Sequence, residues 1–224
     1  SCEELMTKND QTNEMIRTVL RRVSGAQMVS NFRPVTASAL YKLFCDKNDT
    51  VWDMSCGWGG RLLASIKAEI SYIGTDPNTQ TQKGLGQMIS TFGRKTRSYE
   101  LLTLGSEEYR PEKNSLDFAF TSPPYFDTEK YSETETTQSY LKYSNINSWK
   151  EEFLRKTIDN VYLGLKPNKF MALNVADVKS YETFEKDTKT IAEEVGFKLV
   201  DTFDLRLSSQ QADFKSEPIF IFKK

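Results

Sequence analysis

Val51-Trp52-Asp53-Met54-Ser55-Cys56-Gly57-Trp58-Gly59-Gly60-Arg61-Leu62-Leu63 is the stretch on which the fold turns. It reads as a short β-rich run, a tight glycine turn and the start of a helix. Glycines let a ligand approach the backbone closely, and the helix N-terminus beyond them presents unsatisfied N–H groups. A dinucleotide site would carry G-x-G-x-x-G, with the third glycine packing helix on strand. Here that third place is Leu62, and Asp53 precedes the loop. A carboxylate at the tip of a first strand suits a cationic or amino-bearing ligand better than a pyrophosphate.

The second β-rich run ends in Tyr72-Ile73-Gly74-Thr75-Asp76, followed by Pro77. An acid about 20 residues beyond such glycines is placed to accept from ribose hydroxyls. Asp53 on an ammonium and Asp76 on a ribose together describe S-adenosylmethionine. Working outward, the alternation of β-rich and helical runs from Thr50 onward predicts an open α/β sheet. The expected strands are Thr50–Asp53, Tyr72–Asp76, Tyr99–Leu104, Leu116–Thr121, Phe170–Ala176, Phe197–Leu205 and Pro218–Phe222. Helices are expected at Glu3–Val23, Thr36–Phe44, Gly60–Ala68, Thr79–Thr91, Trp149–Leu165 and Tyr181–Val195, with Pro167 and Gly196 as stop signals. The last two strands have no helix between them, which predicts an antiparallel pair at a sheet edge. One domain over 1–224 is expected, with 1–49 as a helical N-terminal segment and 126–148 as a substrate-side loop.

The fourth run closes on Thr121-Ser122-Pro123-Pro124-Tyr125. In an open parallel sheet, ligands bind outside the carboxyl ends of the strands, so this motif and the glycine loop should share a crevice. An exocyclic amino group on adenine or cytosine is a poor nucleophile, because its lone pair is conjugated into the ring. Acceptors for both its N–H bonds draw the nitrogen toward tetrahedral geometry and aim the lone pair at a methyl donor. The Ser122 hydroxyl and the Pro123 carbonyl are the candidate acceptors, stiffened by Pro124. Tyr125 is the candidate platform for a base swung out of a duplex.

Composition narrows the chemistry. With no histidine among 224 residues, Ser-His and Cys-His couples and His-ligated metals are excluded. Cys2, Cys45 and Cys56 form no disulfide or zinc pattern, and no metal is expected. No apolar run approaches the roughly 20 residues of a membrane span, and Ser1–Asn13 is too polar for a signal peptide; a cytoplasmic, bacterial or phage-type setting is expected. The net charge of −1 gives no global pull on phosphate, so any nucleic-acid contact needs a local basic face. Lys83, Arg94, Lys95 and Arg97, with Arg17, Arg21 and Arg22, are the candidates.

The two motifs together resemble those of the DNA amino-methyltransferases, the N6-adenine and N4-cytosine group. The resemblance runs from about Asn31 to Phe222. It implies a seven-stranded, Rossmann-like methyltransferase sheet, mostly parallel with an antiparallel last strand and helices on both faces. Carried onto this chain, it implies cofactor contacts at Phe32, Arg33, Pro34, Thr36, Asp53, Ser55, Gly57, Gly59, Asp76 and Pro77. Ser122, Pro123, Pro124 and Tyr125 take the target base, and serine at the first motif place leans toward cytosine N4. Cytosine-C5 chemistry lacks its Pro-Cys nucleophile here.

The chain departs from sequence-specific members in its shortness: only Phe126–Ser148, partly acidic, offers material for target recognition. A separate specificity domain or subunit is therefore an expected partner beside DNA. RNA bases, a protein glutamine amide and a catalytically idle cofactor-binding subunit stay open as alternatives, with a nicotinamide dehydrogenase the weakest. Trp58 either covers an adenine or packs. Tyr131, Tyr140 and Tyr143 either stack on a base or anchor their segment.

Overall fold

The chain divides into two units, Ser1–Ser30 and Asn31–Lys224. The computed structural model describes residues 31–127, 138–206 and 216–224, all within the second unit. The helix expected at Glu3–Val23, with Arg17, Arg21 and Arg22, lies outside the described residues, as does Tyr131.

Seven strands form one sheet: β1 (Thr50–Asp53), β2 (Ser71–Thr75), β3 (Tyr99–Leu102), β4 (Leu116–Thr121), β5 (Leu165–Asn174), β6 (Lys198–Arg206) and β7 (Ser216–Lys223). Their order is β3-β2-β1-β4-β5-β7-β6. The pairings from β3 through to β5 are parallel, while β7 runs antiparallel to both β5 and β6. This is the expected Rossmann-like architecture. The order reverses between β1 and β4, so the connections leaving those two strands diverge and open a crevice at their carboxyl ends.

Helices cover both faces. On one side lie α1 (Pro34–Phe44), α2 (Gly60–Ala68) and α3 (Thr79–Phe92). After β4 come two short helices, α4 (Ser139–Lys142) and α5 (Ile146–Trp149). A π-helical turn, Lys150–Arg155, then leads directly into α6 (Lys156–Gly164), and α7 (Phe184–Val195) follows β5. The alternation of side chains along a strand builds two cores. Trp52, Ala119, Met171, Leu173, Phe220 and Phe222 pack with Trp149, Ile158 and Phe184 on one face. Val51, Phe118, Phe120, Ala172 and Ile221 pack with Leu40, Leu62 and Leu85 on the other.

Local signals account for the helix ends. Pro34 sits in the first turn of α1, the Asn78 side chain accepts from the Thr81 N–H (2.8 Å) to cap α3, and Gly196 ends α7 at φ 118°. Two elements differ from expectation. β5 begins at Leu165 rather than Phe170, because Leu165 pairs with Leu116 ahead of a register shift. The 126–148 region, expected as a loop, contains α4 and α5; Asn145 caps α5 by accepting from the Ser148 N–H (2.9 Å). Among the described residues no helix is long and apolar enough to cross a membrane.

Candidate active site

The site assembles at the switch between β1 and β4. β1 delivers Asp53 to its tip and the glycine loop turns at once: Gly57 has φ 47° and Gly59 has φ 82°, both left-handed. A side chain on Gly59 would strike Leu85, and one on Gly60 would strike the Phe32 carbonyl, so these two glycines serve packing. Gly57 differs. Its missing side chain would meet nothing nearer than the Ser55 carbonyl at 3.9 Å. The turn needs glycine there for its φ alone, and the backbone is left bare to a ligand.

The two acids at the strand tips are used in opposite ways. Asp53 is fully buried. It accepts from Arg61 Nε (2.8 Å), the Tyr72 hydroxyl (2.6 Å), the Thr121 hydroxyl (3.3 Å) and the Ser55 N–H (3.4 Å). Those four donors fill the roughly four acceptor positions of a carboxylate. Asp53, expected on a ligand ammonium, is instead an internal anchor. Arg61 also donates to the Ser55 carbonyl, and its guanidinium lies 5.3 Å from the Phe32 ring centroid and 5.6 Å from that of Phe120. Burial alone would lower the guanidinium's pKa, but Asp53 outweighs it and holds Arg61 charged.

Among the described residues Asp76, just beyond β2, accepts only from backbone donors: the Gly57 N–H on Oδ2 (3.0 Å) and the Asn78 N–H on Oδ1 (2.9 Å). Each oxygen keeps acceptor capacity, which fits a vicinal diol. Burial raises its pKa above the usual carboxylate value, against the pull of those two N–H groups. The residues present therefore fit the expected nucleoside ligand at Gly57 and Asp76. Trp58, at 53% exposure, stands on the rim of the glycine loop.

The Ser122–Tyr125 motif follows β4 directly, tied to the glycine loop by the Thr121–Asp53 bond. Among the described residues nothing hydrogen-bonds the half-buried Ser122 side chain, and Pro123 is buried. Tyr125, expected as a stacking platform, is buried edge-on against Phe184 with ring centroids 5.6 Å apart. Its hydroxyl lies 3.5 Å from both the Asn174 carbonyl and a Glu217 carboxylate oxygen. Base stacking is not what this packing displays.

The remaining expectations separate. Phe32 joins the site through Arg61, and the exposed Arg33 reaches the Arg206 carbonyl (3.3 Å). Thr36 and Pro77 are partly exposed. Pro34 instead lines an apolar groove of about 840 Å³ among α1, α2 and α3, with Val35, Leu63 and Phe92. Cys56 is buried, which pushes its thiol pKa well up and makes it a poor nucleophile. Tyr143 donates to Glu107 (3.1 Å), and Tyr140 packs against the core, so both anchor their segment. Arg94, Lys95 and Arg97 precede β3 and so lie at the amino ends of the strands, opposite the crevice. Arg97 is further committed, donating from Nε to the Glu69 carbonyl at the end of α2 (2.6 Å).

Sequence reading missed Arg61, Tyr72, Asn174 and Glu217. One signal for Arg61 was present: a cation in the first turn of a helix opposes the helix dipole and needs a local acid.

No protein-family model matches the sequence, and no curated protein matches it. Solved structures do resemble its fold. A SAM-dependent methyltransferase from Methanosarcina mazei aligns over 83% of this chain and 96% of its own, at 14% identity and a TM-score of 0.55. A TehB-like SAM-dependent methyltransferase from Corynebacterium glutamicum covers 97% of this chain and 100% of its own, at 13% identity and a TM-score of 0.57. The cyclase SpnF covers 96% and 94%, at 11% identity and a TM-score of 0.63. The chain shares the sheet architecture of these proteins.

Proposed function

We propose that this protein transfers a methyl group from S-adenosylmethionine to an exocyclic amino group of a DNA base, cytosine N4 ahead of adenine N6. The observation that carries the reading is the placement of Ser122-Pro123-Pro124-Tyr125 at the tip of β4, bonded through Thr121 to Asp53 of the glycine loop. A nucleophile-positioning motif and a nucleoside-compatible loop thus meet at the switch point of the fold. The solved structures of similar fold support the cofactor, and two of them are SAM-dependent methyltransferases.

In this reading the bound cofactor supplies an electrophilic methyl on a sulfonium. The bare Gly57 backbone and the Asp76 carboxylate hold it, while Arg61 and Asp53 fix the loop from beneath. Ser122 and the Pro123 carbonyl accept the two N–H bonds of the substrate amino group. The proline pair fixes that carbonyl in advance, so orientation is built into the backbone.

A second reading, methylation of a protein glutamine amide, draws on a specific observation. Arg94, Lys95 and Arg97 of the described basic cluster sit away from the crevice, leaving Lys83 on the helix that follows β2, while Glu107 and Glu108, paired with Lys142, and Asp127 follow strands that end at the crevice. A planar amide needs the same two acceptors and no phosphate contact.

The test is transfer of labelled methyl from S-adenosylmethionine to DNA, RNA and total protein in parallel. Label in 4-methylcytosine or 6-methyladenine of DNA is expected, and Ser122→Ala should abolish it while leaving cofactor binding intact. Loss of cofactor binding with Ser122→Ala, or label confined to protein, overturns the DNA reading.

A further inference from the structure

A helix that follows a parallel strand starts at the carboxyl end of the sheet, and its side chains lean back toward its own N-terminus. Gln82, the fourth residue of α3, is only 8% exposed and reaches back to two strand tips. Its Nε2 donates to the Leu102 carbonyl at the end of β3 (2.8 Å) and to the Asp76 carbonyl just beyond β2 (3.1 Å). Both of these partners are acceptors only, so the amino end of the amide has to face them. The other end is then stranded: among the described residues the buried Oε1 has no hydrogen-bond partner.

That arrangement is a poor one for stability alone. A buried acceptor left without a bond offsets much of what the two made bonds contribute. What the bonds do secure is Asp76. Its N–H donates to the Leu102 carbonyl (3.2 Å) and its own carbonyl is held by Gln82, so the main chain is tied on both sides of the Cα. With that Cα fixed, the carboxylate meets the Gly57 N–H at 3.0 Å, which sets the β2 tip against the glycine loop.

We propose that Gln82 is a positioning residue for nucleoside binding: it clamps the main chain of Asp76 to the tip of β3, so that the carboxylate is aimed before a ligand arrives. This rests on the reading of Asp76 as the acceptor for the ribose of S-adenosylmethionine. The effect passes through Asp76, because the Nε2 hydrogens of Gln82 are committed to carbonyls and its Oε1 is closed to solvent. A carboxylate already in place loses little freedom when a diol docks on it, and binding is tighter by that amount.

Gln82→Met tests it, since methionine fills a similar space without the two donors or the stranded acceptor. The affinity of the full chain for S-adenosylmethionine, by calorimetry, should weaken about five- to tenfold. Tm should move by no more than about 4 °C, because the two lost bonds and the one removed orphan nearly offset. In an Asp76→Ala background the same substitution should cause no further loss of affinity, since the group it positions is gone. In the ligand-free variant the Gly57 amide should exchange about tenfold faster by NMR, while the β4 amides keep their protection. Unchanged affinity, an equal further loss in the Asp76→Ala background, or a larger fall in Tm would make Gln82 a residue of the fold and overturn the proposal. If the wild-type protein does not bind S-adenosylmethionine, the cofactor reading has failed, and Gly57 exchange still decides Gln82: an unchanged rate overturns it.

Discussion

The tips of β1 and β2 end in acids of the same type, one strand apart, yet the fold treats them oppositely. Asp53 is surrounded by donors and neutralised by Arg61, whereas Asp76, among the described residues, is held by two backbone N–H groups and paired with no cation. An acid whose lone pairs are filled by guanidinium and phenol has no capacity for a ligand. An acid pinned by backbone alone is positioned but unsaturated. The contrast commits the first tip to structure and leaves the second as the candidate for binding.

The most damaging way to break that contrast is Arg61→Met, which strands Asp53 in the interior. Removing one partner of a buried pair costs about 3–5 kcal/mol, and both residues here are buried. Urea unfolding should show a loss of that size, and Asp53→Asn combined with Arg61→Met should recover part of it. A loss near zero for the single variant would return Asp53 to the list of ligand contacts.

Asp76→Ala probes the other tip and should act mainly on binding. A hydrogen bond to a charged group contributes about 1.5–3 kcal/mol, so S-adenosylmethionine affinity should weaken roughly 10- to 100-fold by calorimetry. Stability should fall by only about 1–2 kcal/mol, from two backbone N–H groups losing their acceptor. If affinity is unchanged, the ribose contact lies elsewhere.

Much of this was legible in the sequence, and the parts that were not share a cause. Glycine and proline punctuation placed the described strands and helices to within a few residues, and the positions of Gly57, Asp76 and Ser122 at strand ends follow from single elements. What failed depended on which strands pair. Tyr72 meets Asp53 only because β2 lies parallel beside β1, and nothing in its local period shows that. Glu217 meets Tyr125 only because β7 inserts between β5 and β6. The early start of β5 was hidden by Lys166-Pro167-Asn168-Lys169, whose polarity reads as a turn. The burial of Tyr125 was likewise unreadable, since Phe184 approaches from a distant helix.

Acidification sharpens the comparison by a smaller effect. Burial raises the Asp76 pKa above 3.8, so Asp76 takes up a proton earlier than a free aspartate as pH falls. Asp117 is shifted the other way: burial pushes its pKa up, but the Lys166 ammonium and the Thr50 N–H outweigh it and lower the value. A lowered carboxylate contributes stability that is present above its unfolded pKa and lost as pH falls through the folded one. A raised carboxylate such as Asp76 costs no stability on protonation, yet loses its ionised acceptor. Cofactor affinity should therefore decline with falling pH before the fold does. Calorimetry and circular dichroism on the same pH series check the order; affinity that holds until the protein unfolds would remove Asp76 from the binding site.

The smallest expected effect belongs to the opposite end of the sheet. Arg94 and Lys95 are exposed in the segment between α3 and β3, below the amino ends of the strands. A substrate engaged at Ser122 would have to pass around the sheet to reach them. Each phosphate contact steepens the salt dependence of binding by about 0.9 in the log–log slope. Arg94→Glu with Lys95→Glu should therefore leave the salt slope of DNA binding unchanged and methyl transfer within about twofold, since exposed charges remote from a site contribute little. A slope shallower by one or two would mean that DNA wraps to that end. The crevice between β1 and β4 would then be one part of a longer track rather than the whole of the contact.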